Sequence, residues 1–154
     1  MSKFLNKLLF LNIFISVSLL GQEFSAMTLN VNNLFDTLDD VRKDDKAFLP
    51  IEAKQSSKHR KSCNRITVKS WKNECLFLDW DRETKNAKLD NLVASIVSYN
   101  NNGPDILALQ EVENNNILNQ LFKRLKPYGY IDTKLIEGKD FRGIDTALIT
   151  KFNI

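Results

Sequence analysis

This 154-residue chain has little of the side chains that hold zinc, one histidine and two cysteines. Cys63 and Cys75 stand eleven residues apart with His59 nearby. With no further cysteine or histidine to complete a tetrahedron, they are not a zinc site. Long apolar runs are equally scarce. The longest, Leu8 to Leu20, covers thirteen residues and is broken by Asn12, Ser16 and Ser18, short of the roughly 20 needed to span a bilayer. Neither sign of charge dominates: 22 Lys and Arg stand against 19 Asp and Glu, a net +3 that by itself points to no partner. There are no internal repeats and no low-complexity tract beyond runs of asparagine. What remains, 43% hydrophobic and 27% charged, is the composition of one folded domain rather than a disordered chain.

The apolar run has a clear reading. Lys3 and Lys7 precede it and small residues follow, including Gly21, Ser25 and Ala26, which is the layout of a secretory signal peptide over 1–26. Ser16-Val17-Ser18 is the one clean small-x-small signal, so the cleavage point stays open, as does an uncleaved N-terminal anchor. No lipobox cysteine lies near it. The expectation is an exported protein, periplasmic or extracellular, with no stable membrane association after cleavage. In an oxidising compartment Cys63 and Cys75 would close a disulfide, stabilising by roughly 2–3 kcal/mol; two free thiols are the alternative.

Past the leader, Ala26 to Asn32 alternates strictly, with Met27, Leu29 and Val31 on one face and Thr28, Asn30 and Asn32 on the other, and so predicts a strand. Asparagines are poor strand formers, and two on one face need partners that a polar site would supply. From about 39 to 81 periodicity is weak. The segment opens acidic (Asp39, Asp40, Asp44, Asp45) and turns basic, with seven cations and no acid from Lys54 to Lys72. Lys58, Arg60 and Lys61 with Trp71 are candidates for a phosphate-backbone footprint; a solvated insertion is the plain alternative. Ile66-Thr67-Val68 reads as a short strand within it, and Leu76-Phe77-Leu78 with Trp80 as its dock on the core. Arg82 to Asn100 predicts a helix whose inner stripe is Leu89, Leu92, Val93, Ile96 and Val97, with Lys85 and Lys88 elsewhere. A second helix is expected from Asn115 to Lys126, then strands over Gly129–Ile136 and Gly143–Thr150. The order of elements means an α/β or α+β layered domain.

Between the two helices lies Asp105 to Glu113. Gly103-Pro104 stops the first helix, and Ile106 to Leu109 is an apolar run of strand length, expected to be covered on both faces. At its end stand Gln110 and Glu111. A carboxylate where a buried strand meets a loop is held rigidly yet reaches solvent, a position from which it can hold a metal ion or move a proton. An ordinary acidic loop is the other reading of this stretch alone.

Three segments in order, Thr28–Phe35, Asp105–Val112 and Arg142–Ile149, resemble the endonuclease/exonuclease/phosphatase superfamily, which contains deoxyribonuclease I and the abasic-site endonucleases. The second is similar to its metal-binding Gln-Glu motif; the resemblance covers most of 27–154. It implies a metal-dependent hydrolase of phosphodiesters or phosphomonoesters on a four-layer α/β sandwich. Glu111 would hold the ion, Mg²⁺ first and Mn²⁺ or Ca²⁺ after it. Asn30 would orient the phosphate, Asn32 would offer neutral coordination, and Arg142 and Asp145 would line the pocket, Asp145 among the catalytic groups. The family's Ser-Asp-His and Gly-Asp-x-Asn motifs, and most of its second sheet, have no counterpart here, so the expectation is the N-terminal half of such a hydrolase, weak or inactive alone. The favoured substrate is nucleic acid. The alternatives are a phosphatase or sphingomyelinase-like phosphodiesterase of the same superfamily, or a non-catalytic secreted module that binds polyanions. No protein partner is inferable.

Overall fold

The computed structural model describes residues 23–154. Of the expected signal peptide, 1–22 lie outside the described residues.

The domain is built on one four-stranded sheet. Its strands are β1 (Ala26–Leu34), β2 (Ile106–Val112), β3 (Asp132–Ile136) and β4 (Asp145–Thr150), in the order β1-β2-β4-β3. β1 runs parallel to β2, while β4 is antiparallel to both β2 and β3. Alternation decides which side is inside. Leu29, Leu109 and Ala147 are partners across three strands, and Met27, Leu107 and Ile149 across the same three. This face meets α3 (Arg82–Val97) and α4 (Asn115–Leu125). Leu89 and Ile96 from α3, and Ile117, Leu121 and Leu125 from α4, reach 0% exposure there. Each such side chain stabilises by about 1.5–3 kcal/mol relative to exposure, so this layer dominates the fold's energy. Both helices are capped by side chains, Asp81 accepting from Thr84 N at 2.8 Å and Asn114 from Asn116 N and Ile117 N at 2.8 and 3.1 Å.

The mixed α/β class is as expected, with a sheet and one helical layer present. The expectation that β2 is covered on both faces is corrected: Leu107 and Leu109 are buried, but Ile106, Ala108 and Gln110 are only partly so. The second face of the sheet lies open among the described residues.

The segment between β1 and α3 contains no strand. Residues 66–68, expected as one, link two short helices, α1 (Ser57–Cys63) and α2 (Lys69–Phe77). Cys63 and Cys75 are joined by a disulfide that clips α1 to α2. Lys54 is not a free surface cation: it is 1% exposed, and its ammonium donates to the carbonyls of Ala47, Glu74 and Leu78. Trp80 docks the segment, buried edge-on against Phe48, its Nε1 donating to Phe35 O at 3.2 Å. Phe77 does not share that role; it is 68% exposed. Lys85 faces inward rather than out, donating to Gln120 Oε1 on α4 at 2.8 Å.

Candidate active site

Two irregularities in adjacent strands build the site. On β1, Asn32 and Asn33 both take positive φ, 55° and 60°, a conformation asparagine tolerates better than most residues. Three residues of β1, Val31 to Asn33, therefore stand opposite one residue of β2, since Asn30 pairs with Gln110 and Leu34 with Val112. That one residue is Glu111, itself at φ 66° and without a partner on β4, where Gln110 meets Thr146 and Val112 meets Asp145. Strict alternation would aim Glu111 into the core with Leu107 and Leu109. The bulge turns it out and hands the core position to Val112, which is 0% exposed.

Once out, the carboxylate is gripped on both oxygens. Asn30 Nδ2 donates to Oε1 at 3.0 Å, and the backbone N–H of Asn33 donates to Oε2 at 2.9 Å. Asn30 is fixed in turn, its Oδ1 accepting from Asn32 N at 2.7 Å. Lys88 on α3 donates to Asn32 O at 2.6 Å. Burial holds its ammonium below the usual lysine value, with the nearby Glu111 charge opposing the shift. Backbone in sparsely populated conformations, held in place by its surroundings, clusters at functional sites. Each Glu111 oxygen spends one acceptor site on an N–H and keeps the rest, as a hard oxygen ligand, for a cation. The residues present fit an oxygen-liganded divalent ion.

Two openings flank this point. A cavity of about 300 Å³ is lined by Glu111, Asp145, Thr146, Lys139 and Asp140. Asp145 is 7% exposed and its Oδ1 accepts from Gly138 N at 2.6 Å, so it anchors the 137–142 turn beside Glu111. Arg142 lies within the field of Glu111, but its guanidinium is forked onto Asp140 at 3.1 and 3.0 Å. A wider cleft of about 710 Å³ runs from Asn30 and Asn32 along Trp80, Thr84 and Lys88.

Of the sequence-predicted residues, Asn30, Asn32 and Glu111 therefore converge, with Asp145 and Arg142 at the rim. Lys58, Arg60 and Lys61 do not join them. They are exposed on α1, and the only polar side-chain contact among the three is from Arg60 to Gln55. The sole histidine is also elsewhere: His59 Nε2 lies 2.8 Å from Cys75 O and 3.1 Å from Cys63 Sγ, packed against the disulfide. Sequence reading missed Asn33, whose contribution is a backbone N–H, and Lys88. The signal for Lys88 was present, since it falls one helical turn before Leu92, on the flank nearest β1.

Glu111 is thus a strand-end acid locked by its neighbour strand and left open to solvent on its remaining acceptor sites. Residues 76–154 match the model of the Endonuclease/Exonuclease/phosphatase family, and the chain belongs to that family. Its members are hydrolases of the phosphodiesterase and nuclease type, generally metal-dependent. The match contains Glu111 and Asp145; Asn30 lies before it. No curated protein and no solved structure matches the chain.

Proposed function

We propose that this chain is an exported hydrolase of phosphodiester bonds in nucleic acid, with Mg²⁺ held at Glu111. The observation that carries the reading is the double clamp on Glu111 by Asn30 Nδ2 and Asn33 N. The ion would supply charge neutralisation at the phosphate oxygens. Glu111 holds it, and Asn32 adds a neutral donor at the same bulge. Asn30 keeps Glu111 in place and lines the cleft in which a phosphate would sit. Asp145 fixes the 137–142 turn, and Arg142 stands ready to exchange Asp140 for a phosphate. With the only histidine locked beside the disulfide, these residues position and neutralise but carry no group suited to take a proton at neutral pH. The clipped helices α1 and α2 and the link between them carry Lys58, Arg60, Lys61, Arg65, Lys69 and Trp71 exposed to solvent, a surface suited to a nucleic-acid backbone away from the reacting phosphate. The closed disulfide supports export, and among the described residues no helix is long and apolar enough to cross a membrane.

Mn²⁺ binding followed by water-proton relaxation tests the ion site: Glu111→Gln should weaken it at least tenfold, and unchanged affinity sinks the reading. Anisotropy of a labelled oligonucleotide between 50 and 200 mM salt tests the substrate. Grip on three or more phosphates gives a log–log slope of about −2 or steeper for single strands. A nearly flat slope would favour a phosphatase acting on a small monoester, and DNA binding with no ion at Glu111 would favour a non-catalytic module.

A further inference from the structure

The bulge that turns Glu111 outward hangs on one peptide unit, the link between Asn32 and Asn33. Its N–H end, from Asn33, donates to Glu111 Oε2 at 2.9 Å. Its carbonyl end, from Asn32, accepts from the Lys88 ammonium on α3 at 2.6 Å. The peptide bond is trans, so these two ends point in opposite directions across one plane. β1 lies at the edge of the sheet, and neither Asn32 nor Asn33 has a partner on β2, so strand pairing does not set the orientation of this unit. Among the described residues Lys88 is the only side chain that donates to Asn32 O. Whatever aims one end of the plane aims the other.

Opposite charges sit at the two ends. A cation at the carbonyl and a carboxylate at the N–H lie along the peptide dipole in its favourable sense, and each bond polarises the next. Turned over, the unit would set the Asn32 carbonyl against the Glu111 carboxylate and leave the ammonium facing an N–H. Two bonds would become two repulsions. The root of the lysine stem is fixed, because Leu89 beside it is fully buried and Leu92 one turn on packs against the same core. We propose that Lys88 is a positioning residue of the ion site: through the Asn32–Asn33 peptide it keeps the Asn33 N–H on Glu111 and so presets the carboxylate for a divalent cation. This rests on the reading of Glu111 as the ion's ligand and adds a residue to it. Lys88 forms no ion pair with Glu111 among the described residues, so its action passes through the backbone. With Oε2 released, Asn30 alone would hold Glu111, by Oε1, and the terminal torsion of a glutamate is broad. The ion would then have to order the carboxylate as it bound, a cost that the preset geometry removes.

The test compares the full chain as wild type, Lys88→Met and Lys88→Arg. Methionine keeps an unbranched stem on the helix and removes the donor; arginine restores one. Without metal, exchange of the Asn33 amide proton, followed by NMR, should quicken about tenfold or more in Lys88→Met, while the amides of Leu107 and Leu109 keep their wild-type rates. Mn²⁺ affinity, read by water-proton relaxation, should fall about tenfold, the low end for loss of a group that orients a metal ligand. Lys88→Arg should recover part of both. An Asn33 rate unchanged in Lys88→Met overturns the proposal, as does a rise shared equally by Leu107 and Leu109, which marks a general loss of structure. Mn²⁺ binding that is present in the wild type and undiminished in Lys88→Met fails the proposal alone, whereas no Mn²⁺ binding by the wild type fails the ion reading and the proposal with it. If Lys88→Met does not fold, Lys88→Gln, whose shorter side chain falls short of Asn32 O, is judged by the same criteria.

Discussion

Lys54→Met isolates the most unusual polar element of the fold. The substitution keeps most of the side chain's volume and removes the ammonium that bonds Ala47 O at 2.7 Å, Glu74 O at 3.1 Å and Leu78 O at 2.5 Å. Glu74 O retains the N–H of Leu78, so two carbonyls lose the donor that serves them. A buried acceptor left unpaired costs about 1–3 kcal/mol, and relief from burying a charge returns part of it. The expected loss at pH 7 is about 2–4 kcal/mol, read as a drop in Tm of roughly 6–12 °C. The pH profile gives an independent check. Burial lowers the Lys54 ammonium from 10.5 to about 8, against the opposing field of Asp79. Below pH 8 both folded and unfolded chains carry the proton. Between pH 8 and 10.5 only the unfolded chain does, so wild-type stability rises with pH through that window, by up to about 3 kcal/mol. The variant lacks this rise, and the gap between the two should widen from pH 8 to 10. Urea melts of both proteins at pH 7, 8, 9 and 10 measure it. A neutral or stabilising substitution at pH 7 refutes the capping role, and a gap that stays flat or narrows refutes the burial argument.

Two further outcomes follow from the same contacts. Gly103 sits at φ 71°, and a Cβ there would fall 2.5 Å from the Tyr130 hydroxyl, which donates to Pro104 O at 2.6 Å; Gly103→Ala should cost about 2–4 kcal/mol in chemical denaturation, combining left-handed strain with a displaced buried hydroxyl, and a loss below about 1 kcal/mol would show that Tyr130 moves freely. Reducing the Cys63–Cys75 bridge, which closes a short loop, should lower stability by roughly 2–3 kcal/mol and speed hydrogen exchange in α1 and α2 while β2 stays protected, whereas uniform exchange would mean that the segment and the sheet unfold as one.

The helices and the core strands were legible because period alone dictates them. Leu89 to Val97 and Ile117 to Leu125 have nowhere to put their apolar stripes except against a sheet, and Leu107, Leu109, Ala147 and Ile149 supply that sheet's inner face. The 37–80 segment was not legible, and the reason is physical. Its helices are too short to carry a period, and what holds them is a lysine spanning three carbonyls, a disulfide and an indole bonded to Phe35. Such long-range satisfaction of single polar groups leaves no repeating mark in the sequence. Lys54 shows the cost: it reads as one more surface cation in a basic run, and only its three acceptors explain why it is inside.

The position of Glu111 turns on the same limit, seen from the other side. Counting by twos from Leu107 and Leu109 puts residue 111 in the core, where an unpaired carboxylate is not tolerated. The chain already holds the answer to that conflict, because Val112 is apolar where alternation calls for a polar residue, and Asn32-Asn33 on the facing strand are the residue type that accepts positive φ. One extra residue in β2, met by two extra in β1, moves the acid out and the valine in. The same move brings Asn33 N and Asn30 Nδ2 onto its two oxygens. The positive φ at Asn32, Asn33 and Glu111 is thus held by the bonds it creates, and those bonds fix the carboxylate to which the proposal assigns the ion. The break in alternation at this strand end, opposite paired asparagines, is what a reading by period alone passes over.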